Sequence, residues 1–167
     1  AEFICSDVYD LKQHLDKKFD IVFTSYGTIG WLPDLDKWAD IISYFLKPGG
    51  MFFIAEFHPF LWMFNEEYSK LQYSYFNDEA IIEPVKKTYT DGDTEINLLS
   101  YGWNHPFSEI FTALMKQNLQ ITEFKEYPYS YYNCFSKAVQ NKAGWWEIEG
   151  MEGKFPLMYS LKVIKKL

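Results

Sequence analysis

The sequence predicts an α/β domain, and three observations carry that prediction. Two apolar stretches, Phe19 to Ser25 and Met51 to Phe57, have the β-branched and aromatic content of strands buried on both faces, as in a parallel sheet. Between them Leu35, Trp38, Ala39, Ile42, Phe45 and Leu46 recur at helical spacing and form one apolar stripe. Lys47-Pro48-Gly49-Gly50 then stops the helix, because Pro cannot continue it and Gly permits a left-handed exit. Strand, helix, tight turn, strand is a βαβ unit, whose crossover is right-handed in nearly every sheet.

The remaining elements follow in chain order. Glu2 to Cys5 reads as a brief strand that ends in the polar pair Ser6-Asp7, and residues 9–17 as a short helix or loop. Tyr26-Gly27-Thr28-Ile29-Gly30 is a loop with two flexible points. Asp34 stands where an N-cap belongs, its carboxylate able to accept from free amides of the first turn. Residues 59–100 break the rhythm. There Ala80 to Thr90 and Thr94 to Trp103 flank Asp91-Gly92-Asp93, a hairpin signal, and Pro84 implies an edge strand or a bulge. This stretch reads as an insertion over 60–100, set into a core made of 1–59 and 101–167. The α/β pattern resumes with the helical stripe Phe107, Ile110, Phe111, Leu114 and Met115, with Pro106 suited to its first position. Asn118 takes the left-handed position after it. Leu119 to Phe124 reads as a buried strand, 127–153 as an aromatic loop around Trp145-Trp146, and Phe155 to Val163 as a final strand.

Composition narrows the function. The 167 residues suit one domain with a core of its own. All 16 basic residues are Lys, set against 23 acids, for a net charge of −7. Phosphate neutralisation wants a basic face and base-edge readout leans on Arg, so nucleic acid is a poor partner. No apolar run approaches the ~18 residues of a membrane span. Cys5 and Cys134 stand apart in no C-x-x-C pattern, which makes a reducing cytoplasm the default. His14, His58 and His105 stand singly, so a His-based metal site is not indicated.

Phe19-Asp20-Ile21-Val22, a Gly-containing loop, a Trp-bearing helix, Leu46-Lys47-Pro48-Gly49-Gly50 and a hydrophobic strand, with Asp7 closing a preceding strand, together resemble the central motifs of class I S-adenosylmethionine-dependent methyltransferases, of the type 11-like kind. The match is best over residues 3–58. The resemblance implies a Rossmann-like methyltransferase sheet of family strand order 3-2-1-4-5-7-6, N-terminally truncated, with a β-hairpin and aromatic insertion. The family's Gly-x-Gly-x-Gly loop and the acidic residue that holds the ribose have no counterpart here. The chain therefore corresponds to the C-terminal two-thirds of such an enzyme, and the expectation is that it binds S-adenosylmethionine poorly and is inactive on its own. It also implies that strand 19–25 is left as an unpaired apolar edge, to be covered by a homodimer, a swapped assembly, or strand 2–5 moving in beside it.

The resemblance also assigns residues. Asp7 matches the acid that accepts from the adenine amino group, with the amide of Val8 facing a ring nitrogen; the plainer alternative is a cap on the turn. Ser25, Tyr26 and Gly27, with Thr24, lie at the carboxyl end of a central strand, where open α/β sheets bind ligands. Tyr26 or Trp31 would pack near the sulfonium, an aromatic face beside a cation; Trp31 is equally well read as core. Asp20 reads as structural. His58, after strand 51–57, and His105, before the second helix, are candidates to take a proton from an attacking nucleophile, against a structural role for either. Glu56 and Glu126 are weaker candidates. The aromatics of 60–100 and 127–153 suit a lid and pocket for a small-molecule methyl acceptor, or the packing of the fold or an oligomer interface. Two rivals stand beside the enzyme: a non-catalytic Rossmann-like subunit that binds a partner, and a small-molecule module unrelated to methyl transfer.

Overall fold

A computed structural model describes residues 1–77, 79–85 and 98–167. In chain order the elements are β1 (Phe19–Thr24), α1 (Leu35–Phe45), β2 (Leu46–Phe57), β3 (Ile81–Val85), β4 (Leu98–Gly102), α2 (Phe107–Lys116), β5 (Leu119–Tyr127), β6 (Ala138–Gln140), β7 (Trp146–Ile148) and β8 (Met158–Lys165). Three short 3-10 turns, Val8–Gln13, Ile29–Trp31 and Leu61–Met63, join them.

The main sheet runs β1-β2-β8-β5. β1 is parallel to β2, while β8 is antiparallel to both its neighbours. This is the 4-5-7-6 end of the sheet order implied by the resemblance. The two helices lie on one face. Leu35, Trp38, Ala39 and Ile42 of α1 and Ile110, Ala113 and Leu114 of α2 pack against Phe52, Ile54, Tyr159, Leu161 and Val163 of the strands. Trp38 meets Phe52 edge to face at 5.5 Å. Fully burying one such side chain contributes about 1.5–3 kcal/mol, so the paired helices and the two central strands hold the unit together. A second cluster, Phe57, Leu61, Phe135, Ile148, Leu157 and Met158, sits at the carboxyl end of β2.

Local signals hold at the helix ends. Asp34 accepts from the Lys37 amide at 3.0 Å and caps α1. Gly49 has φ +76°. Asn118 has φ 57°, the left-handed exit expected of it. Pro106 lies one position earlier than expected, as the N-cap of α2 with ψ 154°.

Several expectations are corrected. Glu2 to Cys5 forms no strand and is exposed, so it does not pair beside β1. β1 is the outermost strand, with Ile21 59% and Phe23 55% exposed, because Val22 alone faces the helical core and nothing described covers the other face. β5 extends to Tyr127 and is largely exposed rather than buried, because it is the opposite edge. β8 starts at Met158, since residues 152–157 make turns. The stretch 127–153 is not all loop: β6 and β7 pair within it as a small sheet. β3 and β4 pair antiparallel from Ile81↔Gly102 to Val85↔Leu98, as the hairpin reading requires, with β4 running two residues past 100. The Asp91-Gly92-Asp93 turn lies outside the described residues. Among the described residues no helix is long and apolar enough to cross a membrane, and no group of three or more His, Cys, Asp or Glu is placed to hold a metal ion.

Candidate functional site at the carboxyl edge of the parallel strands

β1 and β2 run side by side and end together, so the loop after β1 meets the last residues of β2. Glu56 makes that meeting specific. It is 3% exposed. Its Oε1 accepts from the amides of Gly27 at 2.5 Å and Phe57 at 2.8 Å. Its Oε2 accepts from Thr28 at 2.7 Å and Ile29 at 3.4 Å. Burial pushes the carboxyl above its ordinary range, while the four amides pull the other way by favouring the charged form. Gly27 can enter this cradle because its φ of +71° suits a residue without Cβ.

The loop so held presents aromatic surface. Tyr26 packs on Tyr131 with ring centroids 4.1 Å apart, and Tyr131 is pushed up in pKa first by burial and then by Tyr26, Cys134 and Glu56. Trp31 is 54% exposed, which excludes the core reading. Ser25 is exposed, and its carbonyl accepts from the Thr28 hydroxyl. Asp7 is exposed: its carboxylate caps the turn Val8–Gln13 by accepting from Tyr9 at 2.9 Å, and that turn docks on α1 through Tyr9, which bonds to the Asp34 backbone. Val8 is half-buried there.

The two histidines occupy different places. His58 is buried; Nδ1 accepts from the Phe60 amide at 3.1 Å, which leaves Nε2 as donor to Glu126 at 2.9 Å. Burial lowers its pKa, with Glu126 opposing. Its ring stands edge to face with Phe107 at 4.8 Å. His105 is also buried, and it ties α2 to the loop before α1 through Glu109 at 2.9 Å and the Leu32 carbonyl at 2.8 Å. Both rings therefore have both nitrogens engaged, and the structure does not bring them to one another.

Beside His58 opens a cleft of about 510 Å³, lined among others by Phe60, Met63, Tyr75, Phe76 and Phe155. Many other aromatics pack the fold: Phe57 meets Trp62 and Phe135, and Phe64 stacks on Phe155. On the helical face of the sheet, Tyr159 lies opposite Glu56 on one side and Glu126 on the other, its hydroxyl buried without a hydrogen-bond partner. Sequence reasoning ranked Glu56 low, although a lone acid within the apolar run Met51–Phe57 was a signal, and it did not single out Tyr131.

No protein-family model and no curated protein matches the chain. Solved structures do. An S-adenosylmethionine-dependent methyltransferase from Clostridium acetobutylicum is 18% identical with a TM-score of 0.56, over 98% of this chain and 64% of that one. A methyltransferase from Methanosarcina mazei is 14% identical with a TM-score of 0.57, over 99% and 68%. The glycopeptide N-methyltransferase MtfA, determined with S-adenosyl-L-methionine, is 13% identical with a TM-score of 0.51, over 96% and 63%. The fold is that of class I S-adenosylmethionine-dependent methyltransferases, and the chain spans about two-thirds of the length of these neighbours.

Proposed function

We propose that the protein is part of an S-adenosylmethionine-dependent methyltransferase that transfers a methyl group to a small-molecule acceptor, with this chain alone binding the cofactor weakly and inactive by itself. The observation that carries this reading is the Tyr26–Ile29 loop, pinned by Glu56 at the carboxyl edge of two parallel strands in a fold shared with methyltransferases. The residues there suit the cofactor. Exposed faces of Tyr26 and Trp31 and the carbonyl of Ser25 are groups that attract a sulfonium and an ammonium. Asp7 and Val8 would hold the adenine, once the Asp7 carboxylate shares its cap bond. When bound, S-adenosylmethionine supplies an electrophilic methyl carbon. This chain's residues orient and exclude water: the Tyr26–Tyr131 pair walls the loop, and the aromatic cleft beside His58 takes the acceptor. Most of the rate gain in such a transfer comes from proximity and alignment. His58 reaches a proton on the acceptor through Nδ1 only by giving up the Phe60 amide; His105 acts on α2 and the Leu32 loop. The acidic, Arg-free surface favours a small acceptor over nucleic acid. Cys5 and Cys134, both free, suit a reducing cytoplasm.

Calorimetric titration of the protein with S-adenosylmethionine tests this. Weak but saturable binding, weakened about tenfold further by Tyr26→Ala through loss of the aromatic–sulfonium contact, is expected. Absence of binding, or indifference to Tyr26, refutes it.

We propose also that the bare β1 edge is covered in solution by a second copy, as a dimer or swapped assembly, because exposed apolar edges recruit strands. Light scattering should give a dimer; a monodisperse monomer overturns it.

A further inference from the structure

β2 is apolar from Met51 to Phe57 except at Glu56, and that one carboxylate is buried. A buried carboxylate is tolerated when its lone pairs are taken by donors. Here the donors are four backbone amides, and three of them belong to consecutive residues, Gly27, Thr28 and Ile29. Three successive amides turned towards one point make a concave anion nest. Glu56 fills that nest from within the chain, across 27 to 29 residues of sequence.

The arrangement has two consequences. Both oxygens of Glu56 are occupied, each by two amides, so the group has no free face to take a proton from a substrate. And the loop's shape depends on it: the left-handed Gly27 sits between Tyr26, whose ring meets Tyr131, and the bonded Thr28. Gln keeps the size but turns one acceptor oxygen into a donor NH₂ facing backbone N–H groups. Ala leaves the nest open.

We propose that Glu56 is a positioning residue, acting as a built-in anion that holds Gly27–Ile29 in the shape that places Tyr26 at the cofactor. This rests on the methyl-transfer reading above. It makes Glu56 neither a base nor a ligand of the methyl donor.

The test follows amide hydrogen exchange by NMR in the full chain, alongside titration with S-adenosylhomocysteine, for the unaltered protein, Glu56→Gln and Glu56→Ala. In the unaltered protein the Gly27 and Thr28 amides are expected to be protected. In both variants they exchange at least about tenfold faster, as loss of a charge-assisted bond implies, while amides of β8 and α2 keep their rates. Affinity for S-adenosylhomocysteine falls about tenfold in parallel. Formate added to Glu56→Ala refills the nest and restores both readouts, which a general loss of packing would not allow. Unprotected Gly27 and Thr28 amides in the unaltered protein overturn the proposal without any variant having to fold. Loop amides that quicken while affinity stays constant, or an absence of formate rescue, overturn it too. Intact exchange behaviour in a protein that never binds S-adenosylhomocysteine instead brings down the methyl-transfer reading, and the cofactor part of this proposal with it.

Discussion

Gly50 offers a sharp test of the Pro48-Gly49-Gly50 stretch in the first part of β2. A Cβ built there falls 2.9 Å from the Lys47 carbonyl oxygen and 3.2 Å from that of Asp20, with Leu46 Cδ2 also at 3.2 Å. Two of these three neighbours are backbone, and the β1–β2 ladder fixes the Asp20 side, so the strain has nowhere cheap to go. Overpacking of this kind costs roughly 1–3 kcal/mol. For a chain of this length each kcal/mol moves the melting midpoint by about 2–4 °C, so Gly50→Ala should melt roughly 4–8 °C lower if the cost is near the middle of that range. Gly30→Ala is the matched control. Its φ is also outside the left-handed region, and the nearest atom to a Cβ there is Trp103 O at 3.6 Å, an ordinary contact. Any gain from stiffening the unfolded chain, about 0.4–1 kcal/mol, is common to both. Thermal melts followed by circular dichroism decide the matter. If Gly50→Ala melts with Gly30→Ala, the close approach of this stretch to β1 is not what requires glycine.

Three further outcomes follow from individual side chains. Tyr159→Phe removes a buried hydroxyl that has no partner and should raise stability in urea by about 1–3 kcal/mol, since an unsatisfied buried group costs that much; a loss would mean the hydroxyl is satisfied in solution. Asp34→Ala removes the α1 cap and should cost about 0.5–2 kcal/mol, read from the same urea curves. Burial lowers the pKa of His58 from 6.5, so the unfolded chain takes up a proton that the folded ring refuses. Its contribution is therefore complete above pH 6.5 and is lost as pH falls through the lowered folded value, and His58→Gln should flatten stability over that window.

The elements written in consecutive residues were readable before any coordinates. The Asp34 cap, the α1 stripe through Phe45 and the left-handed Asn118 each depend on neighbours within a few positions. What depends on distant chain was not. Ile21 and Phe23 look buried because they are apolar, but burial is decided by what lies on the far face, and the described chain puts nothing there. Glu2 to Cys5 has strand-like residues and no ladder to join. β5 carries Phe124 and Ile121 toward the helices, yet its place at the edge leaves its other face wet. At the site, Tyr26, Gly27 and Trp31 were legible as a loop at a strand end. The grip of Glu56 on that loop spans 29 positions to Gly27, and the His58–Glu126 bond spans 68. No local pattern encodes either. The aromatic excess divides between them: Phe57, Tyr68 and Phe135 pack a second core, whereas Phe60, Tyr75 and Phe76 line an open cleft.

The position of β8 bears on how the molecule is made. β8 follows β5 in sequence yet is an inner strand in space, with β2 on one flank and β5 on the other. Until residues 158–165 leave the ribosome, β2 and β5 have no shared neighbour, and Phe52 and Ile54 wait beside an empty lane. The nascent chain can form α1 early, but this part of the sheet closes only once β8 has emerged. Those closing contacts join residues more than a hundred positions apart along β2, the kind of pairing that folds slowly and leaves apolar strands open to chaperones in the meantime.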